Sequence, residues 1–372
     1  MTRIVISGTG IYTPENIITN DELVTAFNQY VRDFNEENKE KIEQGEIKAL
    51  QESSSEFIVK ASGIKQRYMV DKEGILDPKR MRPHYPDRGN EEPSIQCEMA
   101  VDAARKALEK AGKKPEDVDL LIISCSAFQR AYPSMAIEVQ KELGTKGFAY
   151  DMSVACSSSI FGMQNAFNSI NSGLAKCALV ISPEICTGHI NFKDRENHFI
   201  FGDACSAVVM ENVETATSDK QFEVLGMKLL TQFSNNIRNN FGYLNPGEVR
   251  KDEIEYLCIQ KGRRVFKEVV PLTVKLIQDH LEDMDIGIES VQRFWLHQAN
   301  KNMNDLILKY LLKRGPTEKE APLILDEHGN TSSAGLVIAF DKYSDDIKKG
   351  EKGILCGFGA GYSAGCISVQ RI

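Results

Sequence analysis

The sequence predicts an α/β protein built from two similar halves. Short apolar runs rich in β-branched residues alternate with stretches of helical periodicity, as in a sheet flanked by helices. The second half also echoes the first. Gly202-Asp203-Ala204-Cys205-Ser206-Ala207-Val208 finds a loose counterpart in Gly361-Tyr362-Ser363-Ala364-Gly365-Cys366-Ile367, and Leu120 to Cys125 in Arg293-Phe294-Trp295-Leu296-His297. So long a repeat points to two domains rather than to a solenoid, whose units run ~20–50 residues. The charged stretch around 214–222 marks the seam, giving halves 1–220 and 221–372.

In chain order, the N-terminus enters a strand at once through Ile4-Val5-Ile6. Val101, Ala104, Leu108 and Ala111 share one helix face, closed by Gly112. Leu120-Leu121-Ile122-Ile123-Ser124 reads as a buried strand, and Phe148-Ala149-Tyr150 as another. Ile160, Met163, Phe167 and Ile170 then recur at helical spacing up to Gly173. Further strands are expected at 178–181, 207–210 and 294–296. Met303, Leu306, Ile307, Tyr310 and Leu311 form the inner face of a helix ending at Gly315. Residues 28–56, polar with helix-like stretches, and residues 71–93, with four of the twelve prolines, interrupt the first half. The latter is expected to be a long surface loop, either decoration or a lid.

Composition narrows the function classes. The 372 residues are 42% apolar and 26% charged, which excludes a disordered or fibrous chain. A net charge of -8 and a pI near 5.5 disfavour broad binding to nucleic acid or an anionic membrane. No apolar run approaches the ~18–20 residues of a membrane span, and no signal-peptide pattern opens the chain. Nine cysteines without C-x-x-C pairs fit reduced thiols, so a cytoplasmic location is expected.

The chemistry-bearing residues lie at element ends. Cys156, in Asp151-Met152-Ser153-Val154-Ala155-Cys156-Ser157-Ser158-Ser159-Ile160, stands at a strand-to-helix turn, where free N–H groups and the helix dipole favour a thiolate. Its alternative is a small core cysteine. His297, in His297-Gln298-Ala299-Asn300, follows a strand and opens a helix, where α/β folds often place active-site residues; alone it is equally a hydrogen-bonded structural histidine. Asn330, within Leu325-Asp326-Glu327-His328-Gly329-Asn330-Thr331-Ser332-Ser333-Ala334, presents an amide after a tight turn, and otherwise is an ordinary cap. The stretch Gly357-Phe358-Gly359-Ala360-Gly361-Tyr362-Ser363-Ala364-Gly365 is expected as a loop exposing N–H groups. Its Gly361-Tyr362-Ser363-Ala364-Gly365 fits the hydrolase G-x-S-x-G pattern but runs into a strand, not a helix. The glycines likewise miss the dinucleotide fingerprint, and no His and Cys spacing makes a zinc set.

Cys156, His297-Gln298-Ala299-Asn300, Gly329-Asn330-Thr331 and the terminal glycine stretch, in this order, resemble the β-ketoacyl-acyl carrier protein synthase III family of thiolase-like condensing enzymes. The likeness runs from Gly8-Thr9-Gly10-Ile11-Tyr12-Thr13-Pro14 to Ile372 and includes Ser62-Gly63-Ile64-Lys65-Gln66-Arg67 and Tyr132-Pro133-Ser134. It implies a duplicated five-layer αβαβα fold. It further implies that Cys156 takes an acyl group from acyl-CoA. Malonyl-acyl carrier protein then loses CO₂, and the resulting enolate attacks the acyl group. His297 and Asn330 would stabilise the enolate, and the N–H groups of Cys156 and Ala360 would form the oxyanion hole. Tyr132 would close the acyl pocket from the neighbouring subunit of a homodimer, with Phe358 also in that pocket. Phe57, Lys267, Lys301 and Lys309 would meet CoA or the acidic carrier protein.

The resemblance implies no cofactor beyond these thioester carriers and no metal. The chain departs from the family pattern where Phe57 replaces a tryptophan, Ala61 an arginine, Asn302 an arginine and Ala360 a glycine. Two other readings stand beside initiation of fatty-acid synthesis. One is the same chemistry in a specialised lipid or secondary-metabolite pathway; the other is a non-catalytic acyl-binding relative.

Overall fold

The computed structural model describes residues 2–239 and 257–372. The first half begins with β1 (Ile4–Tyr12), the short pair β2 (Asn16–Thr19) and β3 (Gln66–Met69), and between them α1 (Asn20–Glu37), α2 (Lys39–Glu43) and α3 (Ser55–Ser62). It continues through α4 (Glu73–Leu76), α5 (Ile95–Ala111), β4 (Leu120–Ser124), α6 (Met135–Leu143), β5 (Phe148–Met152), α7 (Ser158–Asn171), β6 (Cys177–Glu184) and β7 (Ala204–Asn212). After the 213–221 link come β8 (Phe222–Thr231), the short β9 (Ile237–Arg238) and β10 (Ile259–Gln260), and α8 (Gly262–Asp283). The chain closes with β11 (Val291–Leu296), α9 (Lys301–Leu312), α10 (Leu325–His328), α11 (Ala334–Lys342), β12 (Lys352–Gly359) and β13 (Ser363–Arg371).

Nine strands form one mixed sheet in the order β11-β12-β13-β8-β1-β7-β6-β4-β5. Its two wings join at β1 and β8 through the pairs Val5–Glu223 and Ile6–Phe222. The strands are apolar on both faces, the pattern of a sheet covered on both sides. In β4, Leu120 and Ile122 face one core while Leu121 and Ile123 face another. In β11, Trp295 faces the first core while Phe294 and Leu296 face a third. The first core holds α7 and α11 between the two wings; the second lies under α5, and the third under α8 and α9. The result is five layers, αβαβα, with each fully buried Leu, Ile or Val contributing roughly 1.5–3 kcal/mol.

The strand and helix expectations hold with shifted ends. α5 starts at Ile95, six residues ahead of the first periodic position, because Ser94 caps it by accepting from Cys97 N–H. α9 stops at Leu312 with Lys313 in the left-handed conformation, so Gly315 is not its terminator. Most of the C-terminal glycine stretch is strand rather than loop: Gly357–Gly359 belong to β12, and Gly361-Tyr362-Ser363-Ala364-Gly365 enters β13 as expected.

Residues 28–37 are the last turns of α1, whose apolar face (Leu23, Phe27, Val31) packs in a fourth core with α3 and the 190–201 segment. Residues 71–93 form a loop with one short helix. The loop is strapped down by Tyr85 Oη with Thr187 Oγ1 at 3.0 Å and by the Arg88–Glu98 ion pair at 2.9 Å. Among the described residues no helix is long and apolar enough to cross a membrane.

Helix α5 lies unusually close to β1. A Cβ on Gly8 would sit 2.2 Å from the Ala107 carbonyl oxygen, and one on Gly10 2.1 Å from that of Ala103. Neither backbone can move without opening the layer. Gly10→Ala is therefore expected to destabilise the protein by about 1–3 kcal/mol, the usual cost of overpacking. A lowered midpoint in chemical denaturation checks this; an unchanged midpoint would mean that the two layers can separate freely.

Candidate active site

The turn between β5 and α7 carries Cys156. Ala155 adopts φ +49°, a left-handed conformation costly for a residue with a Cβ. Serine hydroxyls hold the turn in that shape. Ser158 Oγ accepts from Val154 N–H at 2.8 Å and lies 2.7 Å from the Ala155 carbonyl, while Ser157 Oγ donates to the Ser363 carbonyl at 2.8 Å. The end of β12 presses against the nucleophile: a Cβ on Gly359 would lie 2.7 Å from Cys156 Cβ, so only glycine fits there. The N–H groups of Ala360 and of Cys156 itself both lie within reach of the thiol.

Burial pushes the Cys156 thiol up to about 11, and the Glu184 carboxylate adds to the rise. The Ser332 hydroxyl and the two N–H groups pull the other way without cancelling it. The thiolate expected from placement near a helix start is therefore not the resting form. Cys156 precedes the first residue of α7 by two positions, and a dipole worth about 0.3–1 kcal/mol does not offset desolvation at the floor of a cleft.

His297 and Asn330 reach the same cleft from the other wing. His297 N–H donates to the Cys356 carbonyl at 2.8 Å, and its own carbonyl accepts from Asn304 Nδ2 at 3.0 Å, so its backbone is fixed from both sides. Burial lowers the imidazole to about 4, keeping it neutral near pH 7; the Ser332 backbone favours the protonated form but does not outweigh this. Its ring meets Phe358 edge-on, with centroids 5.3 Å apart. Asn330 is held between Ile200 and Gly202 by backbone hydrogen bonds of 2.8 and 3.1 Å. Its Oδ1 accepts from Ser332 N–H at 2.9 Å, which leaves the amide NH₂ as the free end. Two uncharged donors and a thiol thus converge, a set suited to stabilising a developing oxyanion.

Cys156, His297, Asn330, Phe358 and Phe57 all line one cleft of about 1000 Å³. Ala61 and Asn302 line it too, and so do three cations absent from the sequence reading: Lys261, Arg263 and Arg264, all exposed at the start of α8. Phe57 lies 4.1 Å beneath the Arg195 guanidinium and packs edge-on against Phe199. Lys301 and Lys309 line a neighbouring cavity of about 680 Å³ instead, and Lys267 is exposed on α8 outside both. Tyr132 is 85% exposed and lines no part of its own chain's cleft. No residue of 28–56 or 71–93 lines the cleft. Sequence reading also missed Ser332 and Arg195. Ser332 offered only its adjacency to Asn330, and Arg195 meets Phe57 through the fold alone.

Two family models match the chain. Residues 150–232 match 3-oxoacyl-[acyl-carrier-protein] synthase III, and residues 281–371 match its C-terminal model. A Pseudomonas aeruginosa protein named beta-ketodecanoyl-[acyl-carrier-protein] synthase is 54% identical over 93% of this chain and 99% of its own. A beta-ketoacyl-[acyl-carrier-protein] synthase III of Ehrlichia ruminantium is 30% identical over the whole of both chains. Among solved structures, the Aquifex aeolicus 3-oxoacyl-[acyl-carrier-protein] synthase III superposes with a TM-score of 0.77 at 25% identity, covering 99% of each chain. The priming β-ketosynthase of the R1128 polyketide pathway superposes at 0.78 with 23% identity, over 99% of this chain and 96% of its own, a likeness of fold. The five layers are thus the thiolase-like fold, and the chain belongs to the β-ketoacyl-acyl carrier protein synthase III family.

Proposed function

We propose that the chain joins an acyl-CoA to malonyl-acyl carrier protein through an acyl-Cys156 intermediate, the condensation that starts a fatty-acid chain. The observation carrying this reading is the convergence of Cys156, His297 and Asn330 in one cleft. The Cys156 sulfur, losing its proton, attacks the thioester carbonyl; the N–H groups of Cys156 and Ala360 receive the oxyanion, and CoA leaves as the thiol. Malonyl-acyl carrier protein then binds and loses CO₂. Neutral His297 and the free Asn330 amide donate to the enolate oxygen as charge develops. The enolate carbon attacks the acyl group, and the Cys156 thiolate departs and regains a proton. Apart from the thioester carriers, this sequence of steps needs no cofactor.

The donor we assign is octanoyl. The Pseudomonas aeruginosa relative is named for a ten-carbon β-keto product, and condensation with malonyl adds two carbons once CO₂ leaves. Lys261, Arg263 and Arg264 take over recognition of the carriers' phosphates, since Ala61 and Asn302 bring no cation to the cleft. We also assign 1–220 and 221–372 as the two halves. β1-α5-β4-α6-β5-α7-β6-β7 and β8-α8-β11-α9-α11-β12-β13 follow similar orders. A homodimer is supported by exposed apolar side chains around the edge strand β5, where Tyr132, Ile137 and Phe148 are 85%, 51% and 38% exposed. The mass of the protein in solution decides that point.

Intact mass spectrometry with a panel of acyl-CoAs tests the nucleophile and the donor together. An adduct is expected on the native protein, most rapidly with octanoyl-CoA, and none on Cys156→Ala. Arg263→Gln/Arg264→Gln is expected to slow adduct formation from acyl-CoA by about tenfold at low salt and less at high salt. His297→Ala and Asn330→Ala should still acylate yet lose malonyl decarboxylation by about 10²–10³, the usual cost of one oxyanion donor. Normal condensation by both variants would overturn the mechanism.

The raised thiol makes a pH prediction. Below its value of about 11 the thiolate fraction climbs roughly tenfold per pH unit. Alkylation of Cys156 by iodoacetamide in the free enzyme should accordingly accelerate through pH 9 with no plateau. A plateau at pH 7–8 would show that the resting thiol is activated, contrary to its desolvation.

A further inference from the structure

We infer that Glu184, which takes no part in the condensation itself, is a positioning residue that holds the Asn330–Ser332 turn against Cys156. The inference rests on the assignment of Asn330 as an enolate donor. Glu184 ends β6 and is 1% exposed. Its carboxylate takes the N–H and hydroxyl of Ser126 on one side and the N–H and hydroxyl of Ser333 on the other, with N–H distances of 3.0 and 3.1 Å to Oε1. Burial raises its pKa and these four donors oppose the rise. A buried carboxylate is costly, and here it is satisfied by two short serine segments rather than by a cation.

Those two segments come from opposite wings of the fold. Ser126 follows β4, and the Ser126 carbonyl accepts from Ser153 Oγ at 3.4 Å in the turn leading to Cys156. Ser333 immediately precedes α11 and follows the turn that carries Asn330. Its neighbour Ser332 has φ +49°, a strained conformation that needs support from its surroundings. Ser332 lies among the three groups. Its N–H fixes Asn330 Oδ1, and it is near enough to the Cys156 thiol and the His297 ring to lower the one and raise the other. Anchoring Ser333 therefore anchors Ser332, and with it the direction of the Asn330 amide. Acylation depends on the N–H groups of Cys156 and Ala360, which Glu184 does not touch; the Glu184 charge reaches that step only by raising the thiol, so a variant that keeps the carboxylate is needed to read the positioning alone. Decarboxylation depends on Asn330 and His297.

Glu184→Gln keeps the size of the side chain and one acceptor oxygen, which can stay on Ser333, while its NH₂ turns toward Ser126 Oγ; it removes the charge and leaves the Ser333 anchor. Ser333→Ala loosens that anchor while leaving the carboxylate, and its effect on the thiol, in place, and it carries the test. The experiment measures two rates for each variant: acylation of Cys156 by acyl-CoA, and release of CO₂ from malonyl-acyl carrier protein. It also records the thermal midpoint. The ratio of decarboxylation to acylation should fall about tenfold or more in Ser333→Ala, as expected for a donor displaced by a fraction of an ångström to 1 Å, whereas Glu184→Gln should keep decarboxylation and change only acylation, through the lost charge beside the thiol. In Ser126→Ala, which loosens the opposite side, the ratio should stay at the native value. Equal loss of both rates, or losses that track the thermal midpoint across all three variants, would overturn the inference. Asn330→Ala serves as the reference. If it decarboxylates normally, the assignment of Asn330 fails and this inference with it; if it loses decarboxylation while Ser333→Ala keeps the native ratio, the inference alone fails.

Discussion

The site depends on one close approach, the contact between the Cys156 turn and the end of β12. Helices α7 and α11 fill the middle layer, and residues of both wings pack on them in a single core. The turn before α7 carries the nucleophile, and the turn before α11 carries Asn330 and Ser332. Because both helices are buried between the wings, the two turns are brought to one place by packing and not by a local motif. The contact leaves no room for a side chain at Gly359, where a Cβ would meet Cys156 Cβ at 2.7 Å. That absence of a side chain is what lets the Ala360 N–H reach the thiol. The amide at 360 survives replacement of the family's usual glycine by alanine, since alanine keeps the N–H and adds only a methyl group.

Desolvation then sets the charge state. Closing a cleft around Cys156 and His297 favours the neutral form of each, which is why the thiol rises to about 11 and the imidazole falls to about 4. The outcome is a neutral pair rather than a thiolate–imidazolium pair. In the proposed mechanism neutral imidazole suits the later step, because it keeps an N–H to donate to an enolate oxygen without introducing a charge that must be solvated. The site stores no ion and relies on donors already aimed, so little reorganisation accompanies charge development.

The fold was largely legible in the chain. Strands such as Leu120–Ser124 announce themselves as buried on both faces, and helix ends such as Gly112 follow from backbone conformation. Cys156, His297 and Asn330 were legible too, each standing at the end of a strand or the start of a helix. The cleft's outer contacts were not. Lys301 and Lys309 follow the motif in sequence yet line a neighbouring cavity: eight positions apart, they share one face of α9, while Asn302 and Met303 turn toward the cleft. Lys261, Arg263 and Arg264 carry no sequence signal, since an exposed basic helix start looks the same whether or not a cleft opens beside it. The thiol's charge state was misread for a related reason: a helix start can be counted in sequence, whereas the depth of a cleft cannot.

Arg67 shows how much of the site is built from behind. Its guanidinium is fully buried and donates to the Ile18 carbonyl, Asn20 Oδ1 and the Phe199 carbonyl at 3.2, 2.9 and 2.9 Å. Burial pulls it down to about 9, so it remains charged at neutral pH, with no carboxylate paired to it among the described residues. Its Cβ stands 3.1 Å from where a Cβ would be on Gly202 and on Gly329 alike, so both glycines are pressed against it. Gly329 is the residue before Asn330, and Gly202 N–H donates to the Asn330 carbonyl. Arg67 therefore backs the Asn330 turn from the side opposite the cleft, while the Ser332 N–H fixes the amide from within. A charge buried at such cost is explained by the rigidity it gives this turn: three carbonyl-type acceptors from two segments, residues 18–20 and Phe199, converge on one planar group that keeps its proton at neutral pH. A lysine could not satisfy the same three acceptors with the same fixed geometry, because its donors sit on a freely rotating ammonium.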